Sequence, residues 1–230
     1  NYQYQRNVTN YDELVDEVER IFSTDSYLSI NYPHCAWIYI SPKHTLITEK
    51  FFAKEKIKNY LEFTSPIDDL DEIHYKQINR TDIYSIFVVP SPLANKLTQY
   101  YKKITYINQA YPLIHRCINT TEDNSIFINL HDGIADMVLN NNKQFALHNS
   151  FEIYHLNDAV YYINALILQS GVNTRSMPIH ISGDVLREEI DELTKYFPMI
   201  TASKNHRMAM LIGQENAYRF FNLLTAHECE

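Results

Sequence analysis

The chain has 230 residues, with 20 Lys and Arg against 28 Asp and Glu, so its formal net charge at pH 7 is −8. The sequence also contains no run of four basic residues that could form a local basic patch. Electrostatics therefore disfavours binding to nucleic acid or to an anionic membrane. Hydrophobic residues make up 45% of the sequence, which is ordinary for a globular protein that needs neither disulfides nor a structural metal.

Glycine is scarce, with 4 residues against 18 tyrosines and 11 phenylalanines. Loops that wrap phosphates usually need glycine, because the backbone must approach the ligand closely and adopt positive φ angles. The three cysteines, Cys35, Cys117 and Cys229, are far apart and odd in number, which is typical of reduced thiols in the cytoplasm. The sequence has no apolar stretch of 18 residues, no signal-peptide pattern and no zinc-ligand spacing. It therefore predicts a cytoplasmic protein without membrane insertion and without a metal site.

The first part of the chain begins with an amphipathic helix, predicted over residues 11–22 because Leu14, Val18 and Phe22 recur at helical spacing. Short apolar runs bounded by turn residues predict the strands that follow, and longer periodic runs predict helices. The expected strands are residues 27–31, 35–40, 45–48, 72–78, 83–89 and 104–106, and the expected helices are residues 53–63, 93–102 and 109–118.

The second part has a clearer pattern. Three strands joined by tight turns are predicted, followed by an apolar helix that ends at Gly171, a typical C-terminal cap residue. A strand leads into a helix that Gly183 and Asp184 open and Pro198 ends; a last strand and a helix from Glu215 complete the chain. The strands are residues 125–130, 134–140, 144–153, 178–182 and 209–212, and the first helix is residues 157–170. The order is β-β-β-α-β-α-β-α, and the only seam, at residues 120–124, divides the chain into halves 1–119 and 120–230.

This order resembles the half-domain of the actin and sugar-kinase superfamily, in which two such halves flank a nucleotide cleft. Val88, Val89 and Pro90 before a helix resemble the same step in pilus-assembly and cell-division members. With residues 45–47, 51–52, 60–63 and 126–133, these features make nearly the whole chain similar to a bacterial domain-of-unknown-function family, the 3822 family. The resemblance implies an α/β, actin-like ATPase (ribonuclease H-like) fold with no assigned activity, partner or catalytic residue.

The resemblance also implies where a nucleotide would bind. In active members, a strand carries an Asp that holds Mg²⁺, and a glycine-rich hairpin presents its N–H groups to the phosphates. Here Asn129 replaces that Asp, His131 and Asp132 replace two glycines, and only Gly133 and Asp136 match. An Asn amide binds Mg²⁺ more weakly, and one like-charge contact between Asp132 and a triphosphate costs about 4 kcal/mol at ~4 Å and an effective dielectric of ~20.

The loop on the adenosine side is altered as well. Active members carry a glycine pair that opens a helix against the base and ribose, whereas Ser182, Gly183 and Asp184 keep one glycine. A helix N-terminus there could hold an anion, yet Asp184, Glu188 and Glu189 already bring negative charge to its first turn. Capping of the helix by Asp184 is therefore favoured over ligand binding.

Three functions remain open. An intact strand order with degenerate nucleotide loops favours an uncharacterised, non-catalytic binding or scaffold module with an unknown protein partner. The alternative is an ATP-dependent phosphotransferase or ATPase that uses Mg²⁺ in a modified cleft, with His131, Asp132 and Asp136 as the catalytic candidates. His131 and Asp132 could form an acid/base pair, although an Asp-Gly turn beside a histidine is also a common hairpin composition. The third is a pilus- or division-type assembly component.

Overall fold

The computed structural model describes residues 10–131, 133–171, 173, 175–203 and 217–226. These residues form two compact units, which are described in turn. The first comprises the described residues up to Gln77 together with Asp82–Asn108. The second comprises Ile78–Thr81 and the described residues from Gln109 onward.

The first unit contains helices and strands, with two short 3-10 turns, Glu49–Phe51 and Lys54–Lys56, between its second strand and its second helix. Its elements are α1 (Tyr11–Thr24), β1 (Cys35–Tyr39), β2 (His44–Thr48), α2 (Ile57–Glu62), β3 (Asp71–Gln77), β4 (Ile83–Pro90), α3 (Ser91–Tyr100) and β5 (Ile104–Asn108). Strand β4 lies between β2 and β3 and is antiparallel to both, whereas β1 pairs in parallel with β5.

The core of the first unit lies between β4 and the two longer helices. Phe87 and Val89 on β4 are buried against Phe22 of α1 and Leu93 and Leu97 of α3. Helix α1 begins where predicted, because the Asn10 side chain accepts a hydrogen bond of 2.9 Å from the Glu13 amide.

The strand predicted at residues 27–31 is wrong. These residues form turns, and the Asp25 carboxylate accepts hydrogen bonds from the amides of Tyr27 (2.8 Å) and Leu28 (3.2 Å). An Asp side chain that binds the backbone two residues on stabilises a turn and competes with strand pairing.

The second unit is built on a five-stranded sheet of order β10-β9-β6-β7-β8. Its elements are α4 (Ala110–Ile118), β6 (Asn124–His131), β7 (Ile134–Asn141), β8 (Gln144–Glu152), α5 (Leu156–Ser170), β9 (Ile179–Gly183), α6 (Arg187–Leu193), β10 (Ile200–Ala202), a 3-10 turn (Ala217–Phe220) and α7 (Phe221–Thr225). Strands β6, β7 and β8 form an antiparallel meander, and β9 pairs in parallel with both β6 and β10.

The two faces of this sheet have different roles. One face is apolar: Ile126, Ile128 and Met137 pack with Ile163 of α5 and Leu193 of α6. The alternate residues of the same strands point to the other face, and helix α4 packs against β6, β7 and β8. The second face carries Asn129, Asp136 and Ser182, three of the polar residues that the sequence singles out.

Strand β10 was not predicted. It has three residues, Ile200–Ala202, which are too few to display a strand period, and its parallel pairing with β9 comes from tertiary context. The strand predicted at residues 209–212 and the helix start at Glu215 lie outside the described residues. Within the described part of the chain, no helix has the length and apolar character needed to cross a bilayer.

Candidate functional site

A row of polar side chains crosses four strands of the second unit. Ser182 on β9 lies beside Asn129 on β6, Asn129 lies opposite Asp136 on β7, and Asp136 lies opposite Ser150 on β8. Directly paired residues of neighbouring strands share one face of a sheet. The register therefore brings together three residues that the sequence singled out, namely Asn129, Asp136 and Ser182.

Asn129, which stands in place of the magnesium-binding Asp, is buried and hydrogen bonded within the protein. Its Oδ1 lies 3.1 Å from the Ser182 hydroxyl, whose single proton is shared with the carbonyl oxygen of Ile128 at 2.9 Å. The amide oxygen that would bind a cation thus lies within hydrogen-bond distance of a protein hydroxyl group.

Asp136 is fully buried on the same row. The Ser150 hydroxyl donates to its Oδ1, and Nε2 of His148 lies 3.3 Å from the same oxygen. Sequence reasoning missed His148 and Ser150 as partners of Asp136. Their spacing of two residues along β8 was the available signal, since such residues share a face.

Gly133 lies in the turn of the β6–β7 hairpin, directly before β7, and has a φ of +76°. Glycine adopts this left-handed conformation without the penalty that a side chain brings. The carbonyl oxygen of Gly133 accepts a hydrogen bond of 2.7 Å from the amide of Ile153, which joins the hairpin to the end of β8. His131 is the last residue of β6, and Asp132 lies outside the described residues.

Gly183 is required by its neighbours in the sheet. Its φ is +92°, and a Cβ atom there would lie 2.0 Å from the carbonyl oxygen of Leu130 and 2.9 Å from Oδ1 of Asn129. Real Cβ atoms essentially never approach another heavy atom so closely. Close packing of β9 against β6 is therefore sufficient to explain this glycine, without a phosphate.

The prediction that Asp184 caps the following helix is wrong. Helix α6 begins at Arg187, and the carboxylate of Glu189 accepts a hydrogen bond of 2.7 Å from the amide of Leu186. Asp184 instead pairs with Arg219, at 2.5 Å between Nη2 and Oδ1. The chain makes an extra turn after Gly183, so the helix starts three residues later than its composition suggests.

A groove of about 320 Å³ joins the two predicted nucleotide loops. His131 and Gly133 line it from the hairpin, and Asp184 lines it from the loop after β9. Tyr154, His155 and Glu189, which were not predicted as site residues, complete its polar lining. Asn129, Asp136 and Ser182 are buried in the sheet and are not among the residues that line the groove.

Backbone amides on both sides of the groove already donate to protein acceptors. The amide of Asp184 donates to the carbonyl oxygen of Leu130 at 2.6 Å, and that of Leu186 donates to Glu189. On the opposite side, the amides of Tyr154 and His155 both donate to one carboxylate oxygen of Asp158, each at 2.9 Å. These two hydrogen bonds, first that from Tyr154 and then that from His155, lower the pKa of Asp158 below its usual value.

Comparison with known structures identifies the fold. A protein from Bacteroides thetaiotaomicron VPI-5482, described as having an actin-like ATPase fold and unknown function, superposes with a TM-score of 0.78 at 19% identity, over 94% of this chain and 82% of that one. The PilM–PilN type IV pilus biogenesis complex gives a TM-score of 0.51 at 11% identity, over 94% of this chain and 85% of the matched one. The predicted α/β, actin-like ATPase fold is confirmed.

The comparison with curated proteins finds no match. A family model described as "Protein of unknown function (DUF3822)" matches residues 1–200, which confirms the resemblance inferred from the sequence. The chain therefore belongs to the DUF3822 family.

Proposed function

We propose that this protein is a non-catalytic binding or scaffold module, in which an actin-like fold has kept its strand order while its nucleotide loops no longer hold Mg-ATP. The proposal includes a protein partner and a cytoplasmic location. The free thiols of Cys35 and Cys117 support the location, since cytoplasmic thiols stay reduced.

The observation that carries the proposal is the hydrogen bonding of the loop amides. An actin-like site holds phosphates with backbone N–H groups that point at the ligand. Here the amides of Asp184 and Leu186 donate to Leu130 and Glu189 instead. A phosphate could accept from them only after these bonds break, and a hydrogen bond within a protein contributes about 0.5–1.5 kcal/mol to stability.

Charge acts in the same direction. Asp184 and Glu189 both line the groove. Among the ion pairs of the described residues, Asp184 pairs with Arg219, and Glu189 is in none of them. Each contact of ~4 Å between a carboxylate and a phosphate oxygen costs about 1 kcal/mol in bulk water and about 4 kcal/mol at an effective dielectric of 20. One such contact with Glu189 would thus lower phosphate affinity by roughly fivefold to a thousandfold.

A role in protein binding is compatible with the fold. The PilM–PilN structure contains a protein of similar fold in a complex with a second protein. At 11% identity this likeness extends only to the fold. It supports an actin-like domain as a carrier of a protein-binding surface, and it leaves the pilus- or division-type assembly role as one form of the same proposal.

One observation favours the second candidate, an ATP-dependent phosphotransferase or ATPase. Asp136, His148 and Ser150 form a carboxylate–imidazole–hydroxyl group around a buried carboxylate, a chemistry suited to proton transfer. The group does not line the groove with His131 and Asp184. We therefore rank this function second.

Thermal denaturation with and without Mg-ATP tests the proposal. A ligand present at one hundred times its dissociation constant adds about 2.7 kcal/mol to the free energy of unfolding. For a chain of this size, that is a rise in Tm of about 5–11 °C. We expect no rise, and a rise of this size would contradict the proposal. If the rise occurs, disappears in Asp136→Asn and is accompanied by release of phosphate from ATP, the second candidate replaces the first.

A pair of double variants isolates the effect of charge. Asp184→Asn with Glu189→Gln removes two carboxylates that line the groove, whereas Glu188→Gln with Glu192→Gln removes two exposed carboxylates of the same region. We expect the affinity for inorganic triphosphate to rise only in the first double variant, Asp184→Asn with Glu189→Gln. Equal affinities in the two double variants would show that the charge of the groove does not affect triphosphate binding.

A further inference from the structure

The first unit presents a group of aromatic rings at its surface. Phe52, after β2, stacks on Tyr84 of β4 with ring centroids 3.9 Å apart and planes 7° apart. Tyr75 of β3 lies 5.3 Å from Phe52 and 6.5 Å from Tyr84. The neighbouring Phe51 is 63% exposed. Exposed, ordered aromatic rings are typical of protein-binding surfaces, because they bury a large area at little cost in side-chain entropy.

Two lysines lie over these rings. Nζ of Lys50 is 5.5 Å from the ring centroid of Phe51, and Nζ of Lys54 is 5.8 Å from that of Tyr75. Both distances are within the range of a cation–π contact, which positions an ammonium group but leaves its charge uncancelled. Within the described residues, the ion pairs do not include Lys50 or Lys54. We call these two lysines and the four rings the lysine–aromatic surface.

The segment that carries most of the lysine–aromatic surface is locally basic in an acidic protein. Residues 49–58 contain four lysines and two glutamates, whereas the whole chain has a net charge of −8. The Tyr60 hydroxyl also donates a hydrogen bond of 2.6 Å to the carbonyl oxygen of Phe51, which holds this backbone in place. A surface whose backbone is already ordered loses less entropy when a partner binds.

We propose that the lysine–aromatic surface binds an acidic protein segment that carries aromatic or aliphatic side chains between its carboxylates. Carboxylates of the segment pair with Lys50 and Lys54, and its apolar side chains contact the rings of Phe51 and Tyr75. The basic surface meets an acidic ligand, a complementarity that increases the association rate and selects the partner.

Single-stranded nucleic acid is the other polyanion that rings and lysines could attract. Its charges recur at every nucleotide, so it would also approach Glu49 and Glu55 within the same segment and the strongly acidic remainder of the chain. A peptide can place its carboxylates on the lysines alone. Charge therefore favours the acidic segment.

This inference names the kind of partner that the proposed binding module takes, and to that extent it rests on the proposed function. It uses residues of the first unit, whereas the Mg-ATP experiment concerns loops of the second. A protein that binds Mg-ATP would refute the proposed function and leave the surface untouched, and loss of polymer binding would refute only the surface.

The test uses fluorescence anisotropy with two labelled probes, a random glutamate–tyrosine copolymer and an oligothymidylate. We expect the full chain to bind the copolymer more tightly than the oligothymidylate. The double variant Lys50→Glu with Lys54→Glu should raise the Kd for the copolymer about tenfold or more, and Phe51→Ala should raise it severalfold.

The matched control is Lys102→Glu with Lys195→Glu, which changes the net charge equally at two exposed lysines elsewhere. This control should keep the Kd of the unmodified chain within about twofold. Equal weakening in both double variants, no binding of the copolymer, or tighter binding of the oligothymidylate would each overturn the proposal. Since all substituted residues are exposed, unchanged Tm values will show that the variants fold.

Discussion

Substitution of Gly183, the last residue of β9, tests whether close packing or phosphate binding explains why this position is a glycine. Replacing it by alanine places a Cβ atom 2.0 Å from the carbonyl oxygen of Leu130 while φ stays at +92°. Gly171, at the end of α5, has a similar φ of +71°, but among the described residues no atom lies within 4 Å of the point that an alanine Cβ would occupy there. The two substitutions share a conformational penalty and differ in the clash.

The magnitude follows from these two contributions. A left-handed φ costs an alanine about 1–2 kcal/mol, and this is all that Gly171→Ala should lose. Gly183→Ala adds a backbone clash that only a separation of β6 from β9 can relieve, for which overpacking costs are about 1–3 kcal/mol. We expect Gly183→Ala to lower the free energy of unfolding by about 2–5 kcal/mol, measured by urea denaturation.

Equal losses in the two alanine variants would refute this reasoning, because the clash would then contribute nothing. A stable Gly183→Ala protein would leave phosphate approach as the better explanation of the glycine. The comparison needs no ligand and is independent of whether any nucleotide binds.

Three further predictions concern buried polar groups. Lys43→Met should cost about 3–5 kcal/mol, because it leaves the Asp71 carboxylate, whose side chain is 1% exposed, without its cation 2.7 Å away; urea denaturation measures this. Burial alone would lower the pKa of Lys43, yet hydrogen bonds to Asp68 and Asp71 raise it above its usual value, so the stabilisation should persist to about pH 10.4 and fade at higher pH. Burial raises the pKa of Tyr101 to about 12. The contribution of Tyr101 to stability is therefore present below about pH 10 and lost as pH rises toward 12. Tyr101→Phe should reduce unfolding at alkaline pH, as measured by tyrosinate absorbance. Ser150→Ala should cost about 1–3 kcal/mol in thermal denaturation, because it removes a donor from the buried Asp136 carboxylate.

The architecture of the second unit could be predicted because its signals are local. Apolar segments joined by tight turns marked β6, β7 and β8, and Gly171 marked the end of α5. Strand β10 could not be predicted, because three residues gain their strand conformation from pairing with β9. The turn at residues 27–31 was missed because Asp25 competes for the backbone through its side chain.

The candidate site was only partly predictable. The resemblance to active actin-like proteins indicated His131, Gly133 and Asp184, and these residues line one groove. The partner of Asp184 could not be found in this way, since Arg219 is 35 residues away in the chain. Hydrogen bonds of backbone amides, on which the proposed function depends, leave no mark in a sequence. The roles of the site residues and the division of the chain into halves at residue 119 stay predictions.

Nuclear magnetic resonance of the backbone amides tests the central claim most directly. If the amides of Asp184 and Leu186 donate to Leu130 and Glu189, their hydrogen exchange should be slow in the free protein. Their resonances and exchange rates should then stay unchanged when Mg-ATP is added in large excess. Rapid exchange in the free protein, followed by protection and a shift of both resonances on addition of Mg-ATP, would contradict the account.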